Sequence, residues 1–445
     1  MRHAYILLAL MLVFTPSVSA QTADYTARLE RHLGPLAQGR DFSGIVGVSR
    51  GDQLLAYVRL GHSSWEDQVA FDPATRFHAG EVTGLLVHAV IQELVEDGVL
   101  DPATPIQSYL HEFDGQAELP ISALLSHQSG LTGELNQEEL RSLRSDDIVA
   151  WVRDHTPLTA GPHDTQPSGL NHALLVAIAE RAGRGSFETL TALHVLSPAG
   201  LTSTSVSRGE VIGAAPVYQP GPAPLELVRR PTPTALPGSG GLMTSVDDML
   251  ALGRSVARRE IDLFNDDGSL RPPARLARFG EEPLYVLGSG LNLIMIIPGQ
   301  DLVVAYAGNI DSYPSAEILP LLATAMLDEA AAAPLARPGS TALTNQIDAA
   351  GQYLSPDLGP VRIEAGTLGM AVIIEATGER QFLSPVGEDQ LLWRQFNTQL
   401  TLDKNEMGQV TGLTATRRPL TRGEERFDIP RLDLPDQAAD ATAPD

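Results

Sequence analysis

Gly80-Glu81-Val82-Thr83-Gly84-Leu85-Leu86-Val87-His88-Ala89-Val90-Ile91-Gln92-Glu93-Leu94-Val95-Glu96-Asp97-Gly98 is the stretch that decides the fold. Between Leu85 and Val95 almost every position is apolar, and Gly98 ends the run. A helix apolar on nearly every face must be surrounded by other elements, so this segment predicts a buried central helix. Glu81 stands at its N-terminal end, where the helix dipole favours an anion. Working outward, Phe42 to Leu60 reads as two strands joined by Arg50-Gly51-Asp52, a hairpin turn in which Gly supplies the turn conformation. Helices are expected at Ser122 to Leu125, Asp146 to Arg153 and Asn171 to Arg181. Another opens at Thr244-Ser245-Val246-Asp247-Asp248, where a hydroxyl cap precedes acids in the first turn. Strands return at Leu291 to Ile297 and Leu302 to Ala307 around the turn Pro298-Gly299-Gln300-Asp301.

Composition narrows the function. The 445 residues carry 31 Lys and Arg against 55 Asp and Glu, a formal charge of −24, and 43% of them are hydrophobic. The apolar content supports a packed globular chain. The acidic excess argues against nucleic acid as a partner, because phosphate binding needs clustered cations. With no Cys there is no disulfide, thiolate nucleophile or Cys-bound metal. Lys404 is the single lysine, so chemistry that needs a lysine amine elsewhere is excluded.

The chain opens with Arg2 and His3, an apolar run from Ala4 to Phe14, and small residues at Val18 and Ala20, the pattern of a secretory signal cleaved before Gln21. The run is too short for a membrane span, which takes about 20 residues. A periplasmic or secreted location is therefore expected. Residues 21–328 read as the first domain. An Ala- and Pro-rich stretch, 329–345, reads as a linker. Short alternating strands over 346–434 read as a small β domain, and 435–445 as an acidic disordered tail.

Four segments together resemble the serine β-lactamase and penicillin-binding-protein-like family, on its class C and esterase side. They are Ala74-Thr75-Arg76-Phe77-His78-Ala79-Gly80 before the apolar helix; Glu96-Asp97-Gly98-Val99-Leu100-Asp101; Ile121-Ser122-Ala123-Leu124-Leu125-Ser126-His127-Gln128-Ser129-Gly130-Leu131; and Gly240-Gly241-Leu242-Met243-Thr244-Ser245-Val246-Asp247-Asp248-Met249. The resemblance covers roughly residues 25 to 328. It implies an α+β fold, an antiparallel sheet flanked by helices with a helical lobe. The all-β segment that follows resembles the lipocalin-like appendage of some members.

In that family a Ser at the helix N-terminus attacks an acyl carbonyl, and a Lys one turn later takes its proton. A Tyr-x-Asn element relays protons, and a Lys or His before Gly on a strand edge helps to form the oxyanion hole. Here the Ser position falls on Glu81 and the Lys position on Gly84. The Tyr-x-Asn positions fall on Pro167 and Gly169, and Glu281 to Gly288 holds neither Lys nor His. No catalytic residue can be assigned, and the resemblance implies an exported pseudoenzyme that binds a ligand or partner in the former active-site cleft. Glu81, Thr83 and Ser168 are the residues expected to line it. The ligand is expected to be a small molecule, peptidoglycan-like, or else a protein, with no cofactor and no metal. The alternative is a periplasmic hydrolase of esters, β-lactams or D-peptides that uses a non-standard nucleophile or a water activated by a buried Glu81. A third reading makes it a structural interaction protein whose β domain binds.

Weaker motifs are read structurally. Gly47-Val48-Ser49-Arg50-Gly51 matches a nucleophile elbow but sits in a hairpin, where that motif needs a strand turning into a helix. His127 and Ser129 read as turn residues bonding the backbone. The sets His163, Asp164, His172 and His111, Glu112, Asp114 lack a recognised metal-ligand spacing.

Overall fold

A computed structural model describes residues 18–132, 145–159, 161, 163–206, 214–221, 227–229, 236–265, 268–312, 315, 317–328, 345–366, 369–417 and 424–432. The leader up to 17, the linker over 329–344 and the tail lie outside the described residues. The expected cleavage point before Gln21 falls in the first turn of helix α1, Val18–Gln38.

The centre is a six-stranded antiparallel sheet. Its strands are β1 (Gly44–Arg50), β2 (Gln53–Leu60), β3 (Ala274–Phe279), β4 (Glu282–Ser289), β5 (Asn292–Ile297) and β6 (Leu302–Gly308), in the order β3-β4-β5-β6-β1-β2. The chain thus closes on itself, with Gly44 opposite Gly308 and Val48 opposite Val304. β5 and β6 are buried along their whole length, because the sheet is covered on both faces. Alternation then sorts their side chains. Ile294, Ile296, Val303, Ala305 and Ala307 join the core beneath the helical lobe. Leu293, Met295, Val304 and Tyr306 pack with Leu29, Leu33 and Leu322 on the other side. Arg28 on α1 donates through Nη2 to the Met326 carbonyl, 2.7 Å, and so ties α1 to the last helix of this half.

The helical lobe is assembled around α2 (Thr83–Glu96), buried from Thr83 through Ile91 as its sequence demands. Around it lie α3 (Ile121–Leu125), α4 (Ser145–His155) and α5 (Gly169–Gly183). Helix α6 (Val246–Ala257) begins at Ser245, whose Oγ accepts from the Asp248 amide at 3.2 Å. It lies so close to the sheet that a Cβ on Gly253 would stand 2.5 Å from Val303 and 2.7 Å from Ile294. Helix α7 (Ile318–Leu327) completes this half.

From Gly351 the chain forms an eight-stranded antiparallel meander, β7 (Gly351–Ser355) to β14 (Glu425–Pro430), paired in chain order. Tyr353 on the first strand bridges to Arg431 just after the last, so the sheet curls almost into a barrel. Eight strands enclose little more than their own side chains. Tyr353, Met370, Leu383, Leu391 and Ala415, all fully buried, fill that interior. The two halves meet where Arg394, just after Gln390–Trp393, reaches the turn following α1. Its guanidinium pairs with Asp41 at 2.7 Å and donates to the Gly39 carbonyl at 2.8 Å, with both charged side chains buried.

Candidate functional site

The chain enters α2 through a single 3₁₀ turn, Gly80–Val82, anchored by the Ala79 amide on the Leu242 carbonyl at 2.9 Å. Glu81 occupies this turn and is exposed. Its carboxylate accepts from Ser289 Oγ at 3.1 Å, which links the helix N-terminus to the end of β4. The buried surroundings that the water-activation reading required of Glu81 are not there. Gly288, beside Ser289, has φ +79, and a Cβ on it would lie 2.5 Å from the Asn292 carbonyl, so this strand end needs glycine.

Thr83 is fully buried, and its hydroxyl donates back to the Gly80 carbonyl at 2.6 Å. Ser168 caps α5, its Oγ accepting from the Leu170 amide at 3.2 Å. Pro167 is exposed. A Cβ on Gly169 would meet Ser239 Oγ at 2.9 Å and Leu236 at 3.0 Å. Thr83 and Ser168 therefore spend their hydroxyls on local backbone, and Glu81 its carboxylate on Ser289.

Gly84 has the most informative surroundings. A Cβ there would stand 2.6 Å from Cε1 and 2.9 Å from Nε2 of His172. The imidazole of His172 thus fills the space into which a side chain at position 84 would grow. His172 comes from α5, and two further buried histidines join it. His88 lies one turn beyond Gly84 on the same face of α2, and His127 has φ +53 in the turn after α3.

The protons of this cluster can be placed. The Ser168 backbone amide, which can only donate, points at His127 Nδ1 at 3.0 Å, and Asn171 Nδ2 lies 3.1 Å from the same atom. Nδ1 is therefore the acceptor, and the proton of the neutral ring sits on Nε2. That Nε2–H donates to His172 Nε2 at 3.3 Å. Ser129 Oγ donates to Asn171 Oδ1 at 2.5 Å and accepts from the Leu131 amide at 3.1 Å. Nε2 of His88 is buried without a hydrogen-bond partner. Burial, with lesser repulsion from His127 and Arg271, pushes His88 down to about 3. Burial likewise takes His127 down to about 4 and His172 well below its ordinary value. All three rings are neutral near pH 7.

The cluster went unrecognised from sequence because its members are 45 and 39 residues apart. The available signal was a histidine on each of two otherwise apolar helices. The metal sets weighed from sequence do not form. Glu112 makes a forked pair with Arg181 at 2.6 and 2.8 Å, and His111 is exposed. His163 lies against Thr159 and is not one of the residues gathered around His172. His127 and Ser129 do bond to backbone amides, as their reading as turn residues requires. A cavity of about 800 Å³ does exist in the helical lobe, lined by Ser122, Ser126, Gln128, Asn265 and Arg271 among others. Its lining includes none of Glu81, Thr83 or Ser168.

Known proteins share this framework. Residues 29–321 match the family model described as Beta-lactamase. The putative penicillin-binding protein PbpX of Bacillus subtilis (strain 168) is 24% identical over 183 residues, which span 41% of this chain and 45% of that relative's length. Among solved structures, SurE superposes with a TM-score of 0.57 at 19% identity, covering 93% of this chain and 99% of SurE. The D-amino acid amidase from Ochrobactrum anthropi SV3 gives 0.56 at 15% identity, covering 68% of this chain and 98% of the amidase. The amidase likeness takes in about two thirds of the chain and the SurE likeness nearly all of it, so both support the fold described above. With the family model spanning about two thirds of its length over the sheet and helical lobe, this chain belongs to the Beta-lactamase family.

Proposed function

We propose that this protein is a non-acylating member of the family, an exported binding protein. The observation that carries the reading is the occupation of the lysine position. Gly84 has no side chain, His172 takes up the space, and the one lysine, Lys404, lies in the β half paired with Asp389 at 2.6 Å. A hydroxyl near pH 7 becomes a nucleophile only when a base takes its proton. Thr83 and Ser168 face backbone groups instead. The imidazole of His172 accepts from His127 and is committed.

The ligand class that fits the family resemblance is a peptidoglycan-like peptide or similar polar small molecule, held without covalent capture. The 800 Å³ cavity, lined by Arg271, Gln128 and Asn265 among others, offers the space for it. The apolar run at the N-terminus supports export. Intact-mass spectrometry after incubation with a penicillin and with a fluorophosphonate tests the reading. The expected outcome is an unmodified chain and no turnover of a chromogenic cephalosporin or nitrophenyl ester. An adduct on a Ser or Thr of the first half would establish the hydrolase alternative.

A further inference from the structure

We propose that the pocket between the C-terminal half of α2 and α6 binds a compact apolar ammonium ion. The pocket encloses about 220 Å³, less than the ~300–1,000 Å³ of sites for drug-sized ligands, so its occupant is small. Three alanines from three pieces of chain face it, Ala89 on α2, Ala251 on α6 and Ala199, and larger side chains there would fill it. Val195, Leu252 and Ile261 add to the apolar wall. Val195 and its neighbour His194 reach that wall from a π-helical turn, Ala192–Leu196. Such turns are rare and often sit at functional sites.

The polar groups on the wall set the charge of the occupant. Glu93 and Glu260 both line the pocket, and among the described residues no Lys or Arg does. The Glu93 carboxylate has no hydrogen-bond or ion-pair partner among the described residues. Glu260 accepts from Ser255 Oγ at 2.8 Å. Arg258 comes only within 4.0 Å of Glu260 and donates to Asp52 at 2.6 Å instead. His194 faces Asp97 at 4.0 Å. Two carboxylates beside an apolar wall match a cation on an apolar body, and the net charge of −24 attracts cations and repels anions. The wall is also held in place before any ligand arrives. Gln92 donates through Nε2 to the Glu260 carbonyl at 3.0 Å and accepts from the Asp262 amide at 3.0 Å, which fixes the 260–262 segment against α2. A site fixed in this way loses little entropy when it is filled.

The inference is independent of the non-acylating reading, since Glu93 lies about 13 Å beyond Gly84 along α2 at 1.5 Å per residue. Full-length protein is titrated near pH 7 with benzylammonium, with benzyl alcohol as its neutral counterpart and with benzoate as the anion, and binding is followed by ligand-observed NMR. Saturable binding of benzylammonium at one site is expected, at least fivefold tighter than benzyl alcohol, with no binding of benzoate. Glu93→Gln should weaken benzylammonium about fivefold, the ratio that corresponds to the ~1 kcal/mol of a partly exposed ion pair. Ala251→Leu should abolish binding by filling the space. Wild-type protein that does not saturate with benzylammonium overturns the proposal, as does benzyl alcohol binding equally well. A Glu93→Gln variant or a folded Ala251→Leu variant that binds like wild type overturns it too. Where Ala251→Leu fails to fold, the wild-type comparison and Glu93→Gln decide.

Discussion

At the scale of single residues, the histidine cluster predicts how the molecule responds to acid. His88 and His127 have folded pKa values of about 3 and 4, below the ordinary 6.5. The unfolded chain therefore binds more protons across that interval, and stability falls as pH falls. The contribution is complete above pH ~6.5 and is lost progressively toward pH ~4. Chemical-denaturation curves should show this loss, and His88→Leu should flatten it. A wild-type profile flat from pH 7 to 4.5 would contradict the burial of neutral rings. These residues also show where sequence reading stops. The polar residues Glu81 and Thr83 at the start of the buried helix were legible because the apolar run fixes where that helix begins. That His172 fills the space at Gly84 was not, since it requires a contact between residues 88 apart.

Among the elements, the close approach of α6 to the sheet gives the sharpest test. Gly253→Ala gains up to ~1 kcal/mol of helix propensity, but the new methyl would stand 2.5 Å from Val303 and 2.7 Å from Ile294. Overpacking of this kind costs typically 1–3 kcal/mol, so net destabilisation is expected. Urea unfolding should show a lower midpoint with an unchanged m-value. Elements with a strong local signature were readable in advance: the largely apolar α2, the β1–β2 hairpin, α3 to α5, the Ser245 cap of α6, and β5 and β6 with their turn. Elements outside that set were those whose pattern is not local. α1 begins within the segment whose sequence reads as the end of the leader, and β3 is an edge strand whose Arg275 and Arg278 break the two-residue alternation. β11 (Gln390–Trp393) has only four residues. The β half was readable as strands, whereas its filled interior depends on how the curled sheet brings side chains together.

For the whole molecule, the contact between its halves rests on a buried ion pair. Removing one partner leaves a desolvated charge, and Arg394→Leu should cost roughly 3–5 kcal/mol. Replacing Asp41 by Leu in the same chain should recover much of that loss, because the uncompensated charge is then gone. Urea unfolding of the two variants checks both statements, and a single variant as stable as wild type would remove the pair from the interface energetics. The lone lysine has a practical consequence of another kind. Lys404 is partly accessible, at 24% side-chain exposure, and is engaged by Asp389. Amine-reactive dyes, biotin esters and activated resins therefore have one side-chain target, on the β half, besides the α-amine. Conjugation confined there holds the molecule in a single orientation and leaves the sheet and helical lobe untouched by the chemistry.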